Sequence, residues 1–165
     1  MSSYKFTTGD IDESISIMRE AAQWLNDKKE PMWSFDELNR DVLRNPAQEF
    51  IVMYGDNSES IATLLLSYED NFFYPDIPRD TSGFIHKLAV RRKYAGKGLT
   101  NRLIEYAVSI CKEKGIASIR LDCDPHRKKL CAFYESFGFE LTDVKRINTR
   151  RLGEIDVAFY KYNFD

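Results

Sequence analysis

The chain reads as an α/β protein built on one mixed β-sheet, and three observations predict it. Helical and strand periodicities alternate in the order helix, helix, three strands, helix, strand, helix, two strands. The strand-helix-strand passage in the middle requires a crossover, which makes its two strands parallel, while short turns elsewhere make their neighbours antiparallel. With 165 residues, 43% hydrophobic and 30% charged, the chain fits a single compact domain over 1–165.

Each element has its own signal. Ile11, Ile15, Met18, Ala22 and Leu25 recur at helical spacing, and Asp10 with Glu13 forms the pattern of a capping box, so a first helix begins here. Ser34 and Glu37 repeat the box, Leu38 and Val42 supply a short apolar face, and Asn45-Pro46 ends a brief second helix. Residues 50–54 and 61–68 suit a pleated, half-buried surface, and Gly55-Asp56-Asn57 between them is turn chemistry, so they predict an antiparallel hairpin. Residues 71–83 carry Pro75 and Pro78 without periodicity and read as a long loop. A third strand covers 84–90.

Leu99, Leu103, Tyr106, Ala107 and Ile110 form one apolar stripe that Lys114-Gly115 terminates, the pattern of a core-packed helix. Ile119, Leu121 and Cys123 then alternate with polar residues as in a strand, and Leu130, Phe133 and Phe137 return to helical spacing up to Gly138. Two last apolar segments, 139–147 and 155–162, flank Arg150-Arg151-Leu152-Gly153 and predict a terminal hairpin.

Composition excludes several classes. Lys and Arg total 24 against 26 Asp and Glu, a net charge of −2, which is not the footprint of a nucleic-acid binder. No segment approaches the ~18 consecutive apolar residues of a membrane span. Met1-Ser2-Ser3-Tyr4-Lys5 lacks the apolar stretch of a secretory signal, so the expectation is a cytoplasmic protein. Cys111, Cys123 and Cys131 are odd in number and form no CxxC pair, which fits reduced structural thiols and no metal site.

Between the third strand and the following helix lies Arg91-Arg92-Lys93-Tyr94-Ala95-Gly96-Lys97-Gly98, a basic connection with two glycines. Glycines let backbone approach a ligand closely, the first amides of the helix lack internal partners, and the helix dipole adds positive charge at that end. A pyrophosphate answers all three, although a plain turn with solvated charges has the same spacing. Two rivals fall on their residues: a Walker A loop needs Ser or Thr after Lys97, where Gly98 stands, and a dinucleotide fingerprint needs glycine where Asn101 stands.

Three stretches together, Phe84-Ile85-His86-Lys87-Leu88-Ala89-Val90, Tyr94-Ala95-Gly96-Lys97-Gly98-Leu99-Thr100 and Phe133-Tyr134-Glu135-Ser136-Phe137-Gly138-Phe139-Glu140, resemble the GNAT superfamily of acetyltransferases. The family's cofactor loop, Q/R-x-x-G-x-G/A, falls on Ala95 to Thr100, with Ala95 and Thr100 departing at its ends. The resemblance implies an acetyl-CoA-dependent N-acetyltransferase whose mostly antiparallel sheet splays between its fourth and fifth strands, with helices on both faces. It implies cofactor contacts from Leu88, Ala89 and Val90 and from Ala95, Gly96, Lys97, Gly98, Leu99, Thr100 and Asn101. Arg127 stands where relatives often carry an Asn on the cofactor arm.

By the same resemblance the Leu88 N–H polarises the thioester and Tyr134 protonates the departing thiolate; a phenol of pKa about 10 holds its proton at neutral pH. Tyr134 as a core aromatic has the same sequence signature. His86 lies two residues before Leu88, so alternation puts both on one face, and a histidine there is a candidate base for the incoming amine or a satisfied structural residue. Asp122 and Asp124 are weaker candidates. Trp24, Trp33, Glu69, Asp70, Phe72, Phe73 and Tyr74 fall where the family's variable acceptor site lies, which suggests a small-molecule amine rather than a protein, handled by a monomer or homodimer. A non-catalytic acyl-CoA sensor on the same fold is the alternative.

Overall fold

The computed structural model describes residues 3–164. Among them the elements follow as β1 (Lys5–Thr7), α1 (Ile11–Asp27), α2 (Arg40–Leu43), β2 (Gln48–Tyr54), β3 (Ser60–Ser67), β4 (Gly83–Val90), α3 (Leu99–Glu113), β5 (Ser118–Cys123), α4 (Lys128–Phe137), β6 (Glu140–Thr149) and β7 (Gly153–Asn163). The expected order is present with one strand added at the front. At three residues β1 is too short for alternation to register, and it exists through its antiparallel pairing with β2.

The chain divides into two compact units, one drawn from residues up to Ser67 together with 85–109, the other from 68–84 together with residues from 110 onward. In the first unit the strand order is β1-β2-β3-β4, antiparallel from β1 to β3. Phe50 and Leu65 sit opposite each other in the β2–β3 ladder and pack on Ile15, Met18 and Ala22 of α1 and on Leu38 and Leu43. Val52 packs beside Ile17 and Ala89 on the same face. Thr63, its cross-strand neighbour, is fully buried and pairs with the equally buried Ser14 hydroxyl at 2.6 Å, so α1 is docked by a satisfied polar contact as well as by area.

Two capping expectations change. Asp10 caps α1 by accepting from the Glu13 N–H at 3.4 Å, but the Glu13 carboxylate does not complete the box; it accepts instead from Ser60 and Arg91. The helix expected from Ser34 is broken in two. Ser34 caps a single 3₁₀ turn at Phe35–Glu37, and Asn39 caps α2 by accepting from Val42 N–H at 3.0 Å. Between them Leu38 leaves helical geometry with its side chain fully buried and its carbonyl accepting from Arg19. Burial of Leu38 outweighs the helical pattern, and Val42, expected on the apolar face, is 58% exposed.

In the second unit Gly83 and Phe84 of β4 pair parallel with Ile119 and Arg120 of β5, and β5-β7-β6 continue antiparallel. Its core joins Phe84, Tyr74, Val157 and Phe159. The stretch before β4 holds no helix or strand, as expected, but it is anchored: the Tyr74 hydroxyl donates to the Leu121 carbonyl at 2.7 Å, and Asp70 accepts from the Phe72 and Phe73 amides. The observed class is the expected α/β mixed sheet, with β4 and β5 a parallel pair.

Candidate active site

The link from β4 to α3 is held by side chains and backbone hydrogen bonds as far as Ala95 and has open space over its two glycines. Arg91, 17% exposed, is spread over α1 and β3: its Nη2 lies 2.8 Å from Glu13, its Nη1 3.2 Å from Glu20, and its Nε donates to Ser60. Arg92 donates its amide to Glu20 at 2.7 Å and lays its guanidinium 3.4 Å above the Trp24 ring. Lys93 Nζ lies 2.8 Å from Glu59, whose other oxygen accepts from the Tyr94 hydroxyl. In the basic run Arg91 and Lys93 are thus matched by Glu13, Glu20 and Glu59 and the Arg92 guanidinium is laid on Trp24, so the anion-binding capacity rests on the backbone beyond them and on Lys97, whose ammonium lies 5.8 Å from the centroid of the Tyr94 ring.

That backbone has the needed geometry. After the 3₁₀ turn Arg92–Tyr94, Ala95 is extended, and Gly96 and Gly98 take φ of +76° and +72°, a region that side chains resist. A Cβ at either position would meet no atom within 4 Å, so the space over both glycines is open. Leu99 then begins a helix of 15 residues, with Thr100 and Asn101 in its first turn, where amides lack intrahelical acceptors. Main-chain donors, glycine access and a helix N-terminus meet at one point, and a pyrophosphate fits that donor set.

Strand β4 departs from regular alternation. Lys87 adopts φ of +52°, the left-handed region, inside the strand. His86 lies with Leu65 and Leu43 around a cavity, and Ala89 packs on Ile17 and Val52, so both side chains lie on the α1 face although three positions separate them. Even spacing is required for a shared face in a regular strand. Lys87 is therefore the extra residue of a bulge, and His86 shares its face with Ala89 rather than with Leu88, which corrects the alternation argument from the sequence. The Ser67 hydroxyl lies 3.2 Å from His86 Nε2 and orients the ring. The cavity, about 310 Å³, also touches Asn45, Gln48 and Lys87. The Lys87 ammonium lies 5.3 Å from the centroid of Trp33.

In the second unit Tyr134 projects from α4 and is 6% exposed, its ring packed on Phe133, Phe139 and Tyr160. Burial pushes its phenol above the ordinary range, and the neighbouring Cys123, Asp122 and Cys131 push it further. Its carbonyl accepts from Phe139 N–H at 3.1 Å in the cap that ends α4 at Gly138. Cys123 lies 3.8 Å from Cys131, sulfur to sulfur, both reduced, and burial together with Cys131 raises the Cys123 thiol. A thiol so placed is neutral at pH 7 and a poor nucleophile. Arg127 stands at the N-cap of α4 without capping it through its side chain, its Nε 4.0 Å from Asp124.

His86, Leu88, Ala89, Val90 and the residues from Ala95 to Asn101 thus lie along one continuous stretch of the first unit, and Arg127, at the N-cap of α4, and Tyr134, within α4, lie in the second. Sequence reasoning missed Ser67 and Glu59. Each acts through a contact distant in the chain, 19 and 35 residues away, and neither stands in a recognisable motif.

A profile of the acetyltransferase (GNAT) family matches residues 16–139. The chain is 26% identical over 138 residues to YesJ, an uncharacterized N-acetyltransferase of Bacillus subtilis, covering 79% of this chain and 77% of that protein. Among solved structures, spermidine N-acetyltransferase SpeG from Vibrio cholerae superposes with a TM-score of 0.67 at 19% identity, over 97% of this chain and 93% of that one. An acetyltransferase of Bacillus anthracis, solved in complex with acetyl coenzyme A, gives a TM-score of 0.60 at 22% identity, over 86% and 72%. At such identities the structural likeness speaks for the fold.

Proposed function

The chain belongs to the acetyltransferase (GNAT) family, and from that premise we propose that it transfers the acetyl group of acetyl-CoA to a primary amine of a small acceptor, directly and without an acyl-enzyme. The observation that carries this reading is the turn before α3, where Gly96 and Gly98 hold positive φ beneath open space at the start of a long helix. In the reading, the amides of Gly96, Lys97, Gly98, Leu99, Thr100 and Asn101 hold the pyrophosphate, the Ala95 N–H being engaged by the Arg92 carbonyl at 3.2 Å so that Ala95 lines the turn without donating, and Leu88, Ala89 and Val90 offer backbone groups to the pantetheine arm. When bound, acetyl-CoA supplies an acetyl group activated as a thioester.

The chain's own groups divide the remaining work. The Leu88 N–H follows directly on the bulge and serves as the oxyanion donor, an interaction worth roughly 3 kcal/mol in comparable sites. His86, oriented by Ser67 and facing the cavity, takes the proton of the amine. Tyr134 holds a proton at its hydroxyl, available to a leaving thiolate, and burial keeps it there through neutral pH. The neutral Cys123 supports direct transfer over a covalent relay. A cavity of about 310 Å³ beside His86 is of a size for a small acceptor, and the resemblance to a spermidine acetyltransferase supports the same class. Among the described residues no helix is long and apolar enough to cross a membrane. The proposal takes the protein as a cytoplasmic monomer or homodimer, and its net charge of −2 supports a small-molecule acceptor over a nucleic-acid partner.

The test incubates purified protein with acetyl-CoA and a panel of primary amines, polyamines and amino acids included, and follows release of free thiol. Amine-dependent thiol release is expected. Calorimetric binding of acetyl-CoA with no release on any amine would favour a sensor, and absence of binding would overturn the reading.

A further inference from the structure

We propose that Glu59 is a positioning residue for the turn that holds the cofactor, an inference that rests on the reading of that turn given above. Glu59 closes the turn between β2 and β3. Its carbonyl accepts from Gly55 N–H at 3.0 Å, its amide donates to Asn57 Oδ1 at 3.1 Å, and Asn57 Nδ2 donates back to its carboxylate at 3.2 Å. The carboxylate is therefore set by a tight turn rather than by a free rotamer.

From that fixed point it reaches across to Lys93 and Tyr94, which Ala95 alone separates from the first glycine. Oε1 lies 2.8 Å from Lys93 Nζ and Oε2 accepts from the Tyr94 hydroxyl. Beyond them, Gly96 and Gly98 bring no side chains, and the positions their Cβ atoms would occupy touch nothing. A glycine turn without packing of its own carries a large ordering entropy, so its conformation has to be imposed from an end. Arg91, bound to Glu13, Glu20 and Ser60, fixes the strand end, and Glu59 fixes the last two side chains before the amides.

The two arms of this clamp are unequal. The Lys93 side chain is 62% exposed, and ion pairs of that kind contribute little. The Tyr94 hydroxyl bond, made by a half-buried aromatic, carries the positioning. This separates the clamp from an electrostatic role: were Lys93 the phosphate ligand with Glu59 its competitor, neutralising Glu59 would tighten cofactor binding.

The experiment measures acetyl-CoA affinity by calorimetry and amide hydrogen exchange of 95–99 in the ligand-free protein, for wild type, Glu59→Ala, Glu59→Gln, Tyr94→Phe and Lys93→Met. Glu59→Ala and Tyr94→Phe are expected to bind roughly 5- to 20-fold more weakly, with faster exchange in the turn and kcat at saturation within about twofold, because preorganisation is lost and not chemistry. Glu59→Gln keeps an acceptor for Tyr94 and, like Lys93→Met, should stay within about twofold of wild type. Wild-type exchange in Glu59→Ala overturns the positioning role whatever the ligand does, as does tighter binding in Glu59→Gln. Wild-type protein that binds no acetyl-CoA, with exchange still faster in Glu59→Ala, would instead bring down the functional reading and with it the cofactor role of the turn.

Discussion

The Tyr134 hydroxyl sits where burial disfavours a phenolate, beside the Cys123 and Cys131 thiols, and that setting fits a proton donor better than a base. Tyr134→Phe removes one oxygen and keeps the ring against Phe139 and Tyr160. It should lower kcat by roughly 10²-fold with acetyl-CoA affinity unchanged; unchanged kcat in steady-state assays would remove Tyr134 from the mechanism. The same chemistry has a stability consequence. Tyr74, Tyr134 and Tyr160 all have phenols raised chiefly by burial. A group raised in the fold contributes stability in full below its unfolded value, near 10, and loses it as pH climbs toward the folded value. Urea midpoints should therefore begin to fall above about pH 8.5, where the raised Cys123 thiol first costs stability, and fall more steeply above about pH 10, and Tyr74→Phe should flatten only the limb above about pH 10. At this scale resemblance to a family names Tyr134 and His86 as candidates, whereas nothing in the sequence names the left-handed Lys87: no glycine marks the place, and a lysine in a strand carries no sign of a bulge.

Elements with strong periodicity were legible where one face is buried, as in α1 and α3, whereas β3 is buried on both faces and β6 is exposed along most of its length and showed itself through apolar residues such as Leu141 and Val144. α3 and α4 begin and end close to where their stripes and glycines put them, and β2 to β7 differ from expectation by a residue or two at their ends. The failures were local. β1 depends on a partner strand, and the region 34–43 broke because Leu38 had to reach the core. Termination of α4 shows how much a single cap carries. Gly138 has φ of +124°, and a Cβ there would lie 2.9 Å from Tyr162 Cε1 and 3.2 Å from Cδ1. Gly138→Ala combines backbone strain with overlap against an aromatic ring and should destabilise the protein by about 1–3 kcal/mol. Because Tyr134 supplies a carbonyl to the same cap, the variant should also lose activity in folded protein. A urea midpoint equal to wild type would show that the cap relaxes freely.

For the molecule as a whole, the functional reading predicts a coupling that no core contact supplies. A ligand that binds only the folded chain stabilises it by mass action, about 2.7 kcal/mol at a hundredfold excess over Kd. For a chain of 165 residues that is a rise in Tm of roughly 5–10 °C. The composition placed this chain among globular proteins and the glycine turn suggested an anion, but neither distinguishes a pyrophosphate from a solvated loop; thermal shift does. Gly98→Val sharpens the comparison. Its φ of +72° is hostile to a β-branched residue while the space around it is empty, so the variant should lose about 1–2 kcal/mol through backbone strain alone and remain folded. Its Tm in the presence of acetyl-CoA should then equal its Tm without, while wild type shows the full rise. A ligand-induced rise of wild-type size in Gly98→Val would place the cofactor elsewhere than on the amides before α3.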